Sequence, residues 1–159
     1  MTHPLPVDHG YHAGPSEMAS VGAATPFRIR RLGARPLVFK GTELAMAMSF
    51  TPQLPYWYEI NVYRTDRQKF VLCIKQFFVA ENETDTSDAW EFETLADAFD
   101  AIEAYDAGRD VRFEPNDIAR APAAELAARA MSLRSEVEAA RAHFAGLAGE
   151  LFQDLEEAA

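Results

Sequence analysis

Side chains suited to acid–base, nucleophilic or metal chemistry are sparse in this chain. Of four histidines, His3, His9 and His12 crowd the first twelve residues and only His143 lies in the body of the sequence. Three histidines on a loose tail lack the outer shell of hydrogen bonds that orients metal ligands, so no metal site is expected there. Cys73 is the single cysteine. It excludes an internal disulfide and a cysteine-based zinc site, and no histidine lies near it in sequence to activate it. Glu43 and Glu59 alternate into strands that could bring two carboxylates together, and such a pair can split its pKa values for acid–base work. No nucleophile–base spacing accompanies them. The acidic run "ENETDTSD", residues 81–88, lacks the central glycine and terminal glutamate of a calcium loop. No glycine-rich phosphate loop occurs. The sequence therefore predicts a protein that binds rather than catalyses, with no cofactor.

The stretch "LPYWYEINVYRTDRQKFVLCIKQFF", residues 54–78, carries seven aromatic residues and four bases against two acids. It belongs to an acidic chain of net charge −10. Charge is unevenly spread. Residues 28–75 hold nine bases and three acids, whereas residues 76–159 hold six bases and twenty acids. A basic sheet joined to an acidic helical part is the implied arrangement.

Pleating places alternate residues on opposite faces. In "YWYEINVYR", Tyr58, Ile60 and Val62 share a core face, and Trp57, Glu59, Asn61 and Tyr63 share the other. In "KFVLCIKQFFV", Phe70, Leu72 and Ile74 join the core, leaving Lys69, Val71, Cys73, Lys75 and Phe77 outward. Flat aromatic side chains stack on unpaired bases, and cations around them neutralise phosphates. Trp57, Asn61, Tyr63, Phe77, Lys69 and Lys75, joined by Arg28, Arg30, Arg64 and Arg67, are thus the candidate surface for single-stranded nucleic acid. The alternative is a protein–protein adaptor or inhibitor, a possible nucleic-acid mimic, whose acidic surface engages a basic partner. The plainest alternative is structural: both sheet faces are buried, and the basic strands pair with acids of the same chain.

Elements that must position these residues follow from periodicity. Residues 1–26, with repeated Pro and Gly, predict a disordered tail. "FRIRRL", a turn at Gly33-Ala34, "PLVF", a break at Gly41-Thr42 and the alternating "ELAMAMSF" precede the hairpin, and "AWEFET" closes the sheet. In "TLADAFDAIEAYDAG", Thr94 and Asp97 form a capping-box pattern and Gly108 supplies a stop. The result is an α+β domain over 27–108, an antiparallel β-meander of about four or five strands packed on one amphipathic helix. A linker spans 109–121.

Residues 122–159 predict a long C-terminal helix, or a helical hairpin broken at Gly146 and Gly149. Leu126, Ala130, Leu133, Val137, Ala140, Phe144, Leu147 and Leu151 recur at alternating steps of four and three, a coiled-coil seam. Unbroken, the segment spans about 54 Å, too long for so small a sheet to cover. A homodimer through this seam is the expected oligomer. No apolar run approaches a membrane span, and the first residues carry no basic–apolar leader, so a cytoplasmic protein is expected.

Overall fold

The computed structural model describes residues 24–113 and 118–158. The expectation of a disordered tail falls, over residues 1–23, outside them. Five strands run in order: β1 Thr25–Arg31, β2 Ala34–Met48, β3 Tyr56–Thr65, β4 Phe70–Phe78 and β5 Thr86–Phe92. Each pairs antiparallel with the next, giving the sheet order β1-β2-β3-β4-β5. Two helices follow, α1 Leu95–Glu103 and α2 Ala123–Ala158, separated by short 3₁₀ turns at Ala107–Asp110 and Ile118–Arg120. This is an α+β fold built on a meander.

The meander curls into a half-barrel because β2 is long and bent. Its first half pairs with β1, ending at Thr25 opposite Gly41, and its second half pairs with β3 from Gly41 opposite Thr65. Gly41 does not break the strand; it lets the strand turn from one partner to the other. A Cβ there would lie 2.3 Å from the Arg64 carbonyl oxygen, a distance no side chain tolerates. A bulge between Glu43 and Ala45 adds to the bend. The β1–β2 hairpin, turned by Leu32-Gly33 with Gly33 at φ 67°, thus arches over one face of the sheet as an arm. Its far strand reaches β5, where Ser87 Oγ donates to the Arg30 carbonyl at 2.6 Å.

Two separate hydrophobic cores result. On the convex face, Tyr58, Ile60, Val62, Leu72 and Ile74 pack against Ile102 of α1 and against Ala140, Phe144, Leu147, Leu151 and Leu155 of α2. On the concave face, Ile29, Tyr63, Val71, Cys73 and Ala89 are buried beneath Phe27, Leu37 and Phe39 of the arm. The face expected to be open is half covered by the protomer's own first two strands.

Both helices differ from expectation in instructive ways. Thr94 caps α1 as its pattern demands, its hydroxyl accepting from the Asp97 N–H at 3.1 Å. The helix stops at Glu103, ahead of Gly108. Gly108 instead sits in the 3₁₀ turn against Val137, where an added Cβ would approach the valine to 2.9 Å. That turn is tied to the sheet by Asp110, whose Oδ2 accepts from the Tyr58 and Tyr105 hydroxyls, both at 2.7 Å. Burial first, then that carboxylate, push both phenols far above their ordinary range.

α2 is one unbroken helix of 36 residues. Gly146 and Gly149 face solvent with nothing near them, while Phe144, Leu147 and Leu151 on the opposite side anchor the helix to the sheet. Tertiary burial outweighs the roughly 1 kcal/mol that each glycine costs. The expected dimer seam is therefore divided. Ala140, Phe144, Leu147 and Leu151 belong to the protomer's own core. Val137 touches the 3₁₀ turn, Leu126 and Leu133 are half-buried, and Ala130 is exposed. Among the described residues no helix is long and apolar enough to cross a membrane.

Candidate functional site: the concave sheet face

Register fixes the face. Trp57 lies opposite Phe77, Glu59 opposite Lys75, Asn61 opposite Cys73 and Tyr63 opposite Val71. Directly paired residues project to the same side, so the alternation read from sequence holds. The arm divides this face into a filled half and an open half.

In the filled half, the Tyr63 ring meets Phe27 at 4.7 Å and Phe39 at 5.5 Å. Tyr63 is 4% exposed, and Asn61 only 2%. Neither is a surface on which a ligand can stack. The Asn61 amide donates to Glu43 Oε2 at 3.3 Å, and its carbonyl oxygen is buried without a hydrogen-bond partner. Asn61 thus stands between Glu43 and Glu59 on the face, and the two carboxylates have different partners. Burial pushes the Cys73 thiol up to about 12, against a small opposing pull from Lys75, so this cysteine is inert at neutral pH.

In the open half, Phe50, Trp57 and Phe77 form a continuous aromatic strip. Ring centroids are 5.5 Å apart for Phe50 and Trp57, and 5.7 Å for Trp57 and Phe77, the latter stacked. Phe50 is 84% exposed, and Met46 and Met48 beside it are nearly half exposed. The strip runs into a groove of about 360 Å³ between the arm and β4–β5, lined by Phe27, Arg28, Arg30, Tyr63, Lys75 and Phe77, with Asp85, Thr86 and Ser87 on its far wall.

The cations divide just as sharply. Just before β4, Lys69 reaches Glu93 at 2.8 Å and Glu91 at 3.2 Å. Those two carboxylates hold its ammonium above the ordinary lysine range. Lys75 pairs with Glu59 at 2.6 Å. Arg64 is engaged by the Gln68 side chain. On the arm, Arg28, Arg30, Arg35 and Lys40 are exposed and form no ion pair among the described residues, and neither does Arg67 at the β3–β4 turn. Arg31 donates its Nε–H to the Arg35 carbonyl at 2.8 Å.

Of the ten residues singled out from sequence, the structure brings Trp57, Phe77, Lys75, Arg28 and Arg30 together around the strip and groove. Tyr63 supports the groove from below, and Asn61 is buried beside it. Arg64, Arg67 and Lys69 lie at the opposite end of the β3–β4 hairpin. Phe50, Met46, Met48, Arg35 and Lys40 were not singled out. Phe50 and the methionines share the alternation of Trp57, with Met46 opposite Asn61 and Met48 opposite Glu59. Residue size points the other way, to small outward positions at Ala45, Ala47 and Ser49, but Ala45 and Ala47 are buried in the core beside the helices and the larger Met46 and Met48 face outward.

His143, at the edge of the seam, joins Gln53 at 2.9 Å and Thr51 at 3.2 Å, pinning the β2–β3 loop to α2. Among the described residues no three His, Cys, Asp or Glu side chains are grouped to hold a metal. Comparison with protein-family models, with curated proteins and with solved structures finds no match for this chain, so its own geometry carries the functional reading.

Proposed function

We propose that this is a non-enzymatic binding protein that lays a single nucleic-acid strand along the open half of its concave sheet face. The observation carrying this reading is the aromatic strip Phe50–Trp57–Phe77, continuous with a groove bordered on the arm side by Arg28 and Arg30, which form no ion pair among the described residues. Stacking on such rings is indifferent to base identity and is worth about 1–3 kcal/mol per base. Arg28 and Arg30 supply the phosphate neutralisation that Lys69 and Lys75, held by carboxylates, cannot. The acidic helices lie on the convex side, behind the sheet, with Phe144, Leu147 and Leu151 of α2 against it.

The test is binding of a fluorescent single-stranded oligonucleotide to the full chain, to Trp57→Ala with Phe77→Ala, and to Arg28→Glu with Arg30→Glu. Both variants should lose binding while keeping the wild-type circular dichroism. Tyr63→Ala is the wrong probe, because it opens a cavity under the arm. Absence of oligonucleotide binding by the wild-type chain at low salt overturns the reading. It would return attention to the adaptor alternative, in which the exposed acids of α1 and α2 meet a basic protein.

A further inference from the structure

A second feature of the molecule, independent of the nucleic-acid reading, calls for an occupant. β1 begins at Thr25, opposite Gly41, so among the described residues the outer edge of β2 from Thr42 to Met48 has no strand beside it. The direction of its free backbone groups can be read off. Ser49 N–H donates to the Tyr58 carbonyl at 2.9 Å. Alternation along an antiparallel ladder then turns Ala47 and Ala45 toward β3, and turns the N–H and C=O groups of Met46 and Met48 outward. An open edge of this kind is filled by an extended strand.

Soluble proteins commonly guard such edges with lysine, proline or inward charge. Here the guards sit only at the start of the edge, where Glu43 turns onto the sheet face to accept from Asn61 and a bulge separates it from Ala45; none lies between Ala45 and Phe50. Met46, Met48 and Phe50 are exposed on the concave side of the same edge, at 45%, 46% and 84%.

We infer that the occupant is a second copy of the chain, joined β2 to β2 about a two-fold axis through Ala47. In that register Met46 lies opposite Met48 of the second copy, and the reverse. Each pair exchanges both backbone hydrogen bonds. The two alanines at the axis are small enough for the close approach of a non-hydrogen-bonded pair. Charge does not oppose self-pairing: Glu43 lies four residues from Ala47 and beyond the bulge, so the acids of the two edges are kept away from the axis. Flexible thioethers from both copies cover one another on the concave side. The joined sheet has ten strands, and its two aromatic strips flank the axis.

Sedimentation of the full chain across a wide concentration range tests this. The wild-type chain should approach twice its 17.7 kDa mass. Met46→Lys with Met48→Lys, which sets ammonium groups against each other across the axis, should stay monomeric with unchanged circular dichroism and melting. A mixture of Met46→Cys and Met48→Cys chains should form an interchain disulfide under mild oxidation, with far less in either chain alone. Buried Cys73 does not interfere. A wild-type chain that is monomeric throughout overturns the inference. So does a dimer that survives the double lysine substitution but is lost on Leu126→Ser with Leu133→Ser.

Discussion

The β1–β2 arm and the β3–β4 hairpin look alike in sequence, each alternating aromatic or aliphatic residues with basic ones, yet the structure gives them opposite characters. The hairpin's lysines are answered by Glu59, Glu91 and Glu93, and its Tyr63, Val71 and Cys73 are buried. The arm's Arg28, Arg30, Arg35 and Lys40 have no such answer among the described residues. Its Phe27 and Ile29 are spent covering the hairpin. Segment charge counts cannot separate the two cases, because neutralisation depends on which strand lies alongside. β5 carries acids next to β4, whereas the arm's neighbour across the barrel is the polar stretch Thr86–Ser87.

The sharpest way to break this contrast is Gly41→Ala. The added methyl collides with the Arg64 backbone, and either the arm or the β2–β3 ladder must shift. A loss of about 3 kcal/mol or more is expected, read from urea denaturation, together with loss of oligonucleotide binding. A wild-type midpoint would show that the arm does not depend on this crossing. Next in size, Trp57→Ala removes the middle ring of the strip and should weaken single-strand binding by about 5- to 150-fold. Tyr63→Phe, on the buried half, should leave it near wild type.

Salt dependence sharpens the comparison further. Arg28→Gln with Arg30→Gln should lower the slope of log affinity against log salt by about 1.4 for a single strand. Arg64→Gln with Lys69→Gln, on the hairpin, should leave it unchanged. Equal changes in the two variants would erase the distinction between free and paired cations.

The smallest effect is a control outside both regions. Arg141 donates two hydrogen bonds to Asp106, at 2.8 and 3.0 Å. These, with the Gly108 N–H, hold the Asp106 carboxyl down to about 2 from an ordinary 3.8. Because the folded state is the weaker proton binder, the pair's contribution is complete above the ordinary carboxylate range and is lost as pH falls through about 2. An NMR titration should show Asp106 moving back toward its ordinary value in Arg141→Gln.

What the sequence disclosed was what neighbouring residues decide between themselves. The Thr94 cap needs only Asp97, three residues on, and it forms. The face shared by Trp57, Tyr63, Lys75 and Phe77 needs only the pleat of one hairpin, and it is there. The arm's fold-over was invisible because it turns on contact between Gly41 and Arg64, residues distant in sequence. The C-terminal seam was legible as a seam, but its partner was not. Apolar spacing is the same whether the stripe meets another helix or the back of a sheet, and here Phe144 lies against Tyr58 with ring centroids 5.3 Å apart. Length gave a correct constraint, since the sheet buries only the later part of the stripe.

The two cores share no buried residue. Loosening β1 and its partner half-strand need not disturb the packing of α2 beneath the sheet, so local opening and global unfolding are separate events with separate free energies. Amides of the arm should exchange with deuterium well ahead of those in β3 and β4. A polymer too long to thread a fixed hole could then be admitted sideways, under a raised flap, at a fraction of the cost of denaturing the domain.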